Sequence, residues 1–227
     1  MKITKYPQSC FLIETKGQRF IIDSGNMVKT HMPEFNINDW QNITAILITH
    51  KHSDHCDPEL IKEIQNLNPN VPIYTNSEMA GILKENDINT NIVKEGDILE
   101  FSEIRVEVTP AKHGYIYLMK GGGYPNENVG YIFDDGEKRV YHTSDTIMFE
   151  HNLKADIVLA PICGHNVVLE PTSAIEFADH DMHADLLIPC HYEHKNHPIG
   201  TDKFEMIAKE INYTKYKILK NGETLII

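Results

Sequence analysis

The sequence lacks the features that mark several protein classes. No apolar run approaches the roughly 20 residues that a membrane-spanning helix needs, so we expect no membrane segment. The 13 Gly and 11 Pro are scattered, which excludes a fibrous or low-complexity chain. The four Cys have no paired spacing, which argues against a disulfide framework and favours a reducing compartment. These absences predict a cytoplasmic globular protein.

Positive charge is also scarce. The chain has 21 Lys and Arg against 33 Asp and Glu, which gives a formal net charge of −12 with His neutral. Proteins that bind nucleic acid or anionic membranes usually neutralise phosphate with clustered Lys and Arg. We therefore expect a small-molecule substrate, rather than nucleic acid or a membrane, as the partner. The oligomeric state is left open.

Strand signals dominate the first part of the chain. Two short apolar runs meet at Lys16-Gly17, which predicts a β-hairpin. Residues 43–49 form a β-rich run that ends abruptly in polar residues, and residues 104–109 alternate as a half-buried strand does. A turn signal at Asn221-Gly222 predicts a second hairpin that closes the chain.

Helix signals follow some of these strands. Asp57-Pro58 is typical of an N-cap followed by a proline in the first turn, so it predicts the start of a helix. Ser77 and Thr201 are expected to cap two further helices. Strands and helices alternate over residues 43–86 and 156–211, which favours an α/β fold. The length suits one domain, taken as residues 1–227.

Histidine is abundant, with 13 residues, and four metal-ligand residues occur together directly after the β-rich run. In an extended segment His50 and His52 point the same way, so both can reach one metal ion. Asp54 and His55 fall in the turn that follows and suit a second ion. The alternative is a solvated polar loop, but three His and one Asp in six residues at a strand-to-helix junction are unusual there. Imidazole and carboxylate bind Zn²⁺, and Mn²⁺ and Fe²⁺ accept the same donors.

The segment from His50 to His55 resembles the HxHxDH motif of the metallo-β-lactamase fold superfamily. The resemblance implies three more ligands, each after a later strand, and candidates stand in the right order at His113, Asp145 and His191. The superfamily usually has Gly-Asp-Thr around the aspartate, whereas this chain has Ser144 before Asp145.

The resemblance also implies a fold and a division of the ligands. Members form a four-layer αβ/βα sandwich that holds two divalent ions, with Zn first and Mn or Fe as alternatives. One ion would be bound by His50, His52 and His113. The other would be bound by Asp54, His55 and His191. Asp145 would bridge the two ions.

Two further segments, residues 8–14 and 156–165, look like the ascorbate-6-phosphate lactonase-like branch of metal-dependent hydrolases. This likeness implies an enzyme that directs a metal-bound hydroxide at a lactone, ester or phosphodiester. Asp54 would orient that hydroxide as well as bind metal. A nuclease of the same superfamily is the first alternative, and the negative charge argues against it. A metal-binding protein without turnover is the second, and the full ligand set argues against it.

The group that protonates the leaving oxygen is not fixed by the resemblance. His165, His194 and Tyr192 are candidates because they lie near predicted strand ends, and His165 could instead only support the site. Asp23 and Asp57 are candidates to orient ligating imidazoles.

Two other features of the sequence have open roles. Cys163 is expected in the core. The Gly121–Gly123 run could approach an anion or form a flexible insertion.

Overall fold

Two β-sheets pack face to face, and helices cover both outer faces. The computed structural model describes residues 1–120, 123–194 and 199–227. The arrangement confirms the predicted four-layer αβ/βα sandwich. Within these described ranges, no helix combines the length and the apolar character needed to cross a bilayer.

The first sheet contains strands from the amino-terminal half and one from the end of the chain. Its strands are β1 (Lys2–Lys5), β2 (Phe11–Thr15), β3 (Gln18–Ile22), β4 (Ala45–Leu47), β5 (Ile73–Thr75), β6 (Asn91–Ile92) and β13 (Thr224–Ile226). Their order is β13-β1-β2-β3-β4-β5-β6. Pairing is antiparallel from β13 to β3 and parallel from β3 to β6.

The second sheet is built from the middle of the chain. Its strands are β7 (Ile98–Phe101), β8 (Ile104–Pro110), β9 (Val129–Asp134), β10 (Arg139–His142), β11 (Ile157–Pro161) and β12 (Leu186–Cys190). Their order is β12-β11-β10-β9-β8-β7. Strands β7 to β10 pair antiparallel, whereas β10, β11 and β12 are parallel.

Helices on each outer face bury one apolar side against the adjacent sheet. Those on the first sheet are α1 (Met27–His31), α2 (Pro58–Leu67) and α3 (Ser77–Lys84). Those on the second sheet are α4 (Pro171–Glu176) and α5 (Thr201–Glu210). A π-helical turn at Phe177–Asp181 extends α4, and short 3-10 turns lie at Ile37–Trp40 and Tyr117–Met119.

The layer between the sheets is a continuous apolar core. Phe20 of the first sheet packs against Phe133 and Phe101 of the second, with ring centroids 5.3 and 5.1 Å apart. All but Phe101 are fully buried. Close packing of this kind makes the sheets a rigid base, so the loops at the strand ends are held in fixed positions.

Several local predictions are confirmed. Lys16 and Gly17 form the tight turn between β2 and β3, with φ angles of 45° and 77°, as a type I′ hairpin turn requires. Helix α2 begins at Pro58, and the Asp57 carboxylate accepts a hydrogen bond from the Glu59 N–H group.

The predicted helix caps at Ser77 and Thr201 are wrong by one residue. The N-cap of α3 is Asn76, whose side chain accepts from the Met79 N–H group at 2.9 Å. The Ser77 hydroxyl is engaged elsewhere, because it donates to Glu127. Gly200 takes the cap position of α5, and Thr201 is the first helical residue.

The predicted closing hairpin at Asn221-Gly222 is also wrong. Strand β13 pairs with β1 of the first sheet. The preceding segment instead lies beside β12 of the second sheet, where Lys217 N–H donates to the Leu187 carbonyl at 3.0 Å. The segments before and after Asn221-Gly222 therefore lie beside different sheets. A local turn signal does not indicate which strand each flanking segment pairs with.

Candidate metal centre

The predicted ligands come from four separate loops, which follow β4, β8, β10 and β12. The structure brings all of them together at one edge of the sandwich. Ligand atoms of one group lie within 4.8 Å of one another, and so do those of a second group. The first group is His50, His52, His113 and Asp145; the second is Asp54, His55 and His191.

Asp145 lies where the two groups meet. Its Oδ2 atom is 3.3 Å from His55 Nε2 and 3.2 Å from His191 Nε2, both of the second group. The same oxygen is 3.6 Å from His113 Nε2 in the first group. This is the position that a carboxylate shared by two ions would need.

Unpartnered atoms test whether the site suits metal ions. His55 Nε2, His113 Nε2 and Asp145 Oδ1 are buried without a hydrogen-bond partner among the described residues. Buried polar atoms in folded proteins are nearly always paired, since an unpaired one costs about 1–3 kcal/mol. All three atoms belong to residues whose ligand atoms converge, so divalent ions with nitrogen and oxygen ligands fit this donor set.

Local hydrogen bonds select which nitrogen of His50 and His52 is available. His52 Nε2 donates to the Gly123 carbonyl at 2.7 Å, so its Nδ1 is left to face the cluster. That atom lies 3.0 Å from His50 Nε2, while His50 Nδ1 lies 3.0 Å from the Thr49 hydroxyl. Such contacts fix the ring orientation and the tautomer of a ligating imidazole.

His113 is oriented by its own loop. Its Nδ1 donates to the Gly114 carbonyl at 2.7 Å, which leaves Nε2 to face the cluster. Tyr124 adds a hydrogen bond from its hydroxyl to the His113 carbonyl at 3.1 Å. Only glycine fits at position 114, because a Cβ atom there would lie 1.9 Å from the Asn166 carbonyl oxygen.

Asp23, one of the two carboxylates expected to orient an imidazole, contacts His55. Its Oδ2 accepts from His55 Nδ1 at 2.7 Å, and its Oδ1 accepts from the Thr49 N–H group at 2.8 Å. Asp57 instead caps α2, where it accepts from Glu59 N–H. Only the first carboxylate therefore reaches a member of the cluster.

We expect Asp23→Asn to weaken metal binding about 10- to 100-fold, the usual effect of removing such a partner. Asp23 uses one carboxylate oxygen for Thr49 and the other for His55, whereas an amide has only one oxygen and places an NH2 group at the second position. The His55 ring therefore loses its fixed orientation. Chelator competition on the metal-free protein measures the affinity. Asp57→Asn is the matched control, since asparagine caps helices as well as aspartate does. Equal affinity in Asp23→Asn and wild type would contradict this role.

In the metal-free protein the pKa values of the clustered imidazoles shift in opposite directions. Burial, assisted by His55, holds the pKa of His50 well below its usual value, so that ring is neutral. Burial opposes charge on His55 as well, but the carboxylates of Asp145 and Asp23 outweigh it and raise the pKa of His55 to about 10. Asp145 likewise raises the pKa of His191 against its burial. A metal ion that binds His55 or His191 would therefore have to displace a proton from that ring.

Gln8 was not singled out by the sequence, although it contacts the second ligand group. It is fully buried, and its Nε2 donates to Asp54 Oδ2 at 3.3 Å. The amide orientation is set because Gln8 Oε1 accepts from the Glu193 N–H group at 3.0 Å. Gln8 thus holds the carboxylate of a predicted ligand.

A buried ion pair secures Gln8. The Lys5 side chain has no exposed surface and pairs with Glu193 Oε1. Lys5 Nζ also donates to Asn221 Oδ1 and to the Tyr6 carbonyl, each at 3.0 Å. Glu193 Oε2 accepts from the Gln8 N–H group at 3.0 Å. The pair therefore joins the loop after β12 to the end of β1.

The candidate proton donors have different positions. His165 is exposed and lines the cleft that contains the ligands, as does the half-buried His194. The Tyr192 hydroxyl donates to the Leu219 carbonyl at 3.1 Å, so it is directed at the end of the chain. Cys163 is buried as expected, but its Sγ also lies 3.2 Å from His191 Nδ1. Gly121 and Gly122, whose role was open, lie outside the described residues.

Close backbone contacts hold the first ligand loop in place. Asn26 N–H donates to the Ser53 carbonyl at 2.9 Å, and Asp57 N–H donates to the Ser24 carbonyl at 3.0 Å. Gly25 lies between these bonds, and a Cβ atom there would be 1.9 Å from the Asp54 carbonyl oxygen. Glycine is required at this position because the two segments touch.

Several solved structures share this architecture over nearly their whole length. An isothiocyanate hydrolase from Delia radicum gut bacteria has a TM-score of 0.82 and 20% identity, with 100% of this chain and 99% of that chain covered. A metallo hydrolase of the hyperthermophilic archaeon Ignicoccus hospitalis has a TM-score of 0.76 and 19% identity, with 99% and 97% covered. At these identities the likeness shows the fold.

Sequence comparisons are more specific. The family described as the beta-lactamase superfamily domain matches residues 2–191. A UPF0173 metal-dependent hydrolase of Bacillus cereus (strain B4264) is 30% identical over 241 residues, with 100% of both chains covered. One of Bacillus thuringiensis (strain Al Hakam) is 30% identical over 242 residues, again with 100% of both covered. The chain therefore belongs to the metallo-β-lactamase fold superfamily and is one of its metal-dependent hydrolases.

Proposed function

We propose that the protein is a dinuclear hydrolase that cleaves a lactone, ester or phosphodiester bond in a small molecule. The observation that carries the proposal is the pair of adjoining ligand groups with Asp145 in contact with both. Two divalent ions held there, Zn²⁺ or alternatively Mn²⁺ or Fe²⁺, would supply an activated water and would polarise the scissile carbonyl or phosphoryl group.

Asp54 is the residue proposed to orient the attacking water. Burial disfavours its charge, but His55 and His191 hold the pKa of the Asp54 carboxyl well below its usual range, so it is ionised and can only accept hydrogen bonds. Its Oδ2 lies 3.1 Å from His191 Nε2 and accepts from Gln8. About a quarter of the side chain, 23%, is exposed towards the cleft, which leaves an acceptor for a water proton.

His165 is the residue proposed to protonate the leaving oxygen. It is exposed, it lines the cleft with His113 and Asp145, and it follows β11 at the same edge of the sheet as the ligands. An imidazole can transfer a proton near neutral pH, as this step requires.

A small molecule suits the space available. The cleft has a volume of about 690 Å³, within the range of small-molecule sites. The sequence likeness to the ascorbate-6-phosphate lactonase-like branch supports a lactone or a phosphodiester among the three candidate bonds. No observation favours a nucleic acid, and the net charge of −12 opposes one.

Metal content and turnover test the proposal together. Protein purified without chelator or affinity metal is analysed by elemental mass spectrometry, and we expect two equivalents per chain. The protein is then loaded with Zn²⁺, Mn²⁺ or Fe²⁺ and assayed on a panel of lactones, esters and phosphodiesters. No metal uptake on titration, or two bound ions without turnover of any bond class, would contradict the proposed function.

A further inference from the structure

One side of the cleft beside the ligands is apolar. Cys163 and Val167 are buried in a small cluster, and Ile116 and Met119 from another loop pack against it. All four line the cleft, and Met27 of α1 adds a further thioether. A substrate group that extends from the scissile bond would therefore contact methyl groups and sulfur.

The side chains that line the cleft also include few that carry a permanent charge. No Lys or Arg lines it in the parts of the chain that the structure describes, and its acidic members are the proposed ligands Asp54 and Asp145. Proteins usually bind phosphate or carboxylate groups with Arg or Lys in direct contact. An anionic substituent that lies along the apolar side would meet Ile116, Met119 and Val167 instead, whereas the other side of the lining includes the polar residues Asn26, Thr30 and Ser53.

Lysines on neighbouring segments are engaged elsewhere. Lys51, next to His52, pairs with Glu78 at 2.9 Å. Lys112 and Lys120 each lie over an aromatic ring, with their ammonium groups 5.7 and 5.3 Å from the ring centroids. In the structure none of these three lysines lines the cleft.

We propose that the substrate is an uncharged lactone or carboxylic ester whose apolar group lies along the wall formed by Ile116, Met119 and Val167. This rests on the proposed function and narrows it, because phosphodiesters and substrates with a second anionic group are discriminated against. In the reaction the oxygen of water bonds to the acyl carbon. The acyl–oxygen bond breaks with its electron pair on the leaving oxygen, which takes a proton that water releases.

Matched esters measure this preference. Butyrate and hemisuccinate esters of 4-nitrophenol have the same leaving group and a four-carbon acyl chain, but they end in a methyl and a carboxylate. We expect the metal-loaded protein to favour the neutral ester at least about tenfold in kcat/KM, after subtraction of the rate that each ester shows in the same buffer without protein. In a neutral series, each methylene that reaches the wall should raise kcat/KM by up to about fourfold.

Variants of neighbouring residues test the wall directly. Ile116→Lys places a cation in the cleft and should shift the relative rate towards the hemisuccinate at least about tenfold. Ile92→Lys is the matched control, since Ile92 is 62% exposed and outside the cleft lining. Met119→Lys replaces the first variant if circular dichroism or metal content shows that it does not fold.

The outcomes separate this inference from the proposed function. Equal rates for the two esters, a preference for the hemisuccinate, or faster cleavage of bis(4-nitrophenyl) phosphate would overturn the neutral-substrate inference and leave the hydrolase intact. An unchanged preference in a folded Ile116→Lys protein would overturn it as well. No hydrolysis of any compound by protein that holds two ions would end both proposals.

Discussion

Replacing Asp145 with asparagine is expected to lower kcat/KM by at least about a thousandfold and to reduce bound metal from two ions to one or none. The Asp145 carboxylate lies within 3.6 Å of His55, His113 and His191, which belong to both ligand groups. An amide has one neutral oxygen in place of two anionic ones, so the two ions of the proposed centre would lose the charged ligand that they would share. A thousandfold loss corresponds to about 4 kcal/mol of transition-state stabilisation.

Elemental analysis and turnover on one active substrate check this result. His191→Ala should also lower metal content, because it removes one of the three members of the second group. His180→Ala is the control, since His180 is exposed and belongs to neither group. Circular dichroism must show that each variant is folded. Two bound ions or wild-type turnover in Asp145→Asn would exclude it as a shared ligand.

The first ligand loop could be located from the sequence because its signals are local. Four ligand residues occur between His50 and His55, directly after a strand and before a capped helix. By contrast, His113, Asp145 and His191 each come from a separate loop, and spacing alone does not connect them. Their selection depended on the likeness to a family, and the fold explains it because strands of both sheets end at the same edge.

Backbone conformation accounts for a departure from the family pattern. Ser144 stands where the superfamily usually has Gly, and its φ angle of 63° lies in the left-handed region that Gly adopts freely. A residue with a Cβ atom pays of order 1–2 kcal/mol there. The Ser144 hydroxyl donates to Asn128 Oδ1 at 2.6 Å, which compensates part of that cost. His191, Asp23 and Gln8 also have positive φ, so four residues in or beside the site adopt this strained conformation.

Gln8, Glu193 and Lys5 could not be identified from the sequence because their roles depend on distant contacts. Lys5 and Glu193 are 188 residues apart, and each alone resembles an ordinary surface charge. The same limit applies to the choice between Asp23 and Asp57. Asp57 was also expected to cap a helix, but only the assembled fold shows that Asp23 is the carboxylate that faces His55.

The Lys5–Glu193 pair leads to the largest expected effect on stability. Glu193→Gln should lower the free energy of unfolding by about 3–5 kcal/mol, because it leaves the Lys5 ammonium buried without its counter-charge. The Lys5→Met/Glu193→Gln double variant should recover most of this loss, since no unpaired charge stays buried. Glu59→Gln is the matched control: Glu59 pairs with Lys62 on the surface, where such pairs contribute at most about 1 kcal/mol.

Urea denaturation of the metal-free proteins measures these differences, and metal titration adds a second readout. Glu193 accepts a hydrogen bond from Gln8, and Gln8 donates one to Asp54. Glu193→Gln should therefore also lower the metal affinity of the second ligand group. The double variant should restore stability without restoring that affinity, since the acceptor for the Gln8 N–H group is still changed. The role of the pair would be contradicted if the free energy of unfolding of Glu193→Gln were within 1 kcal/mol of the wild-type value. It would also be contradicted if the double variant were no more stable than Glu193→Gln.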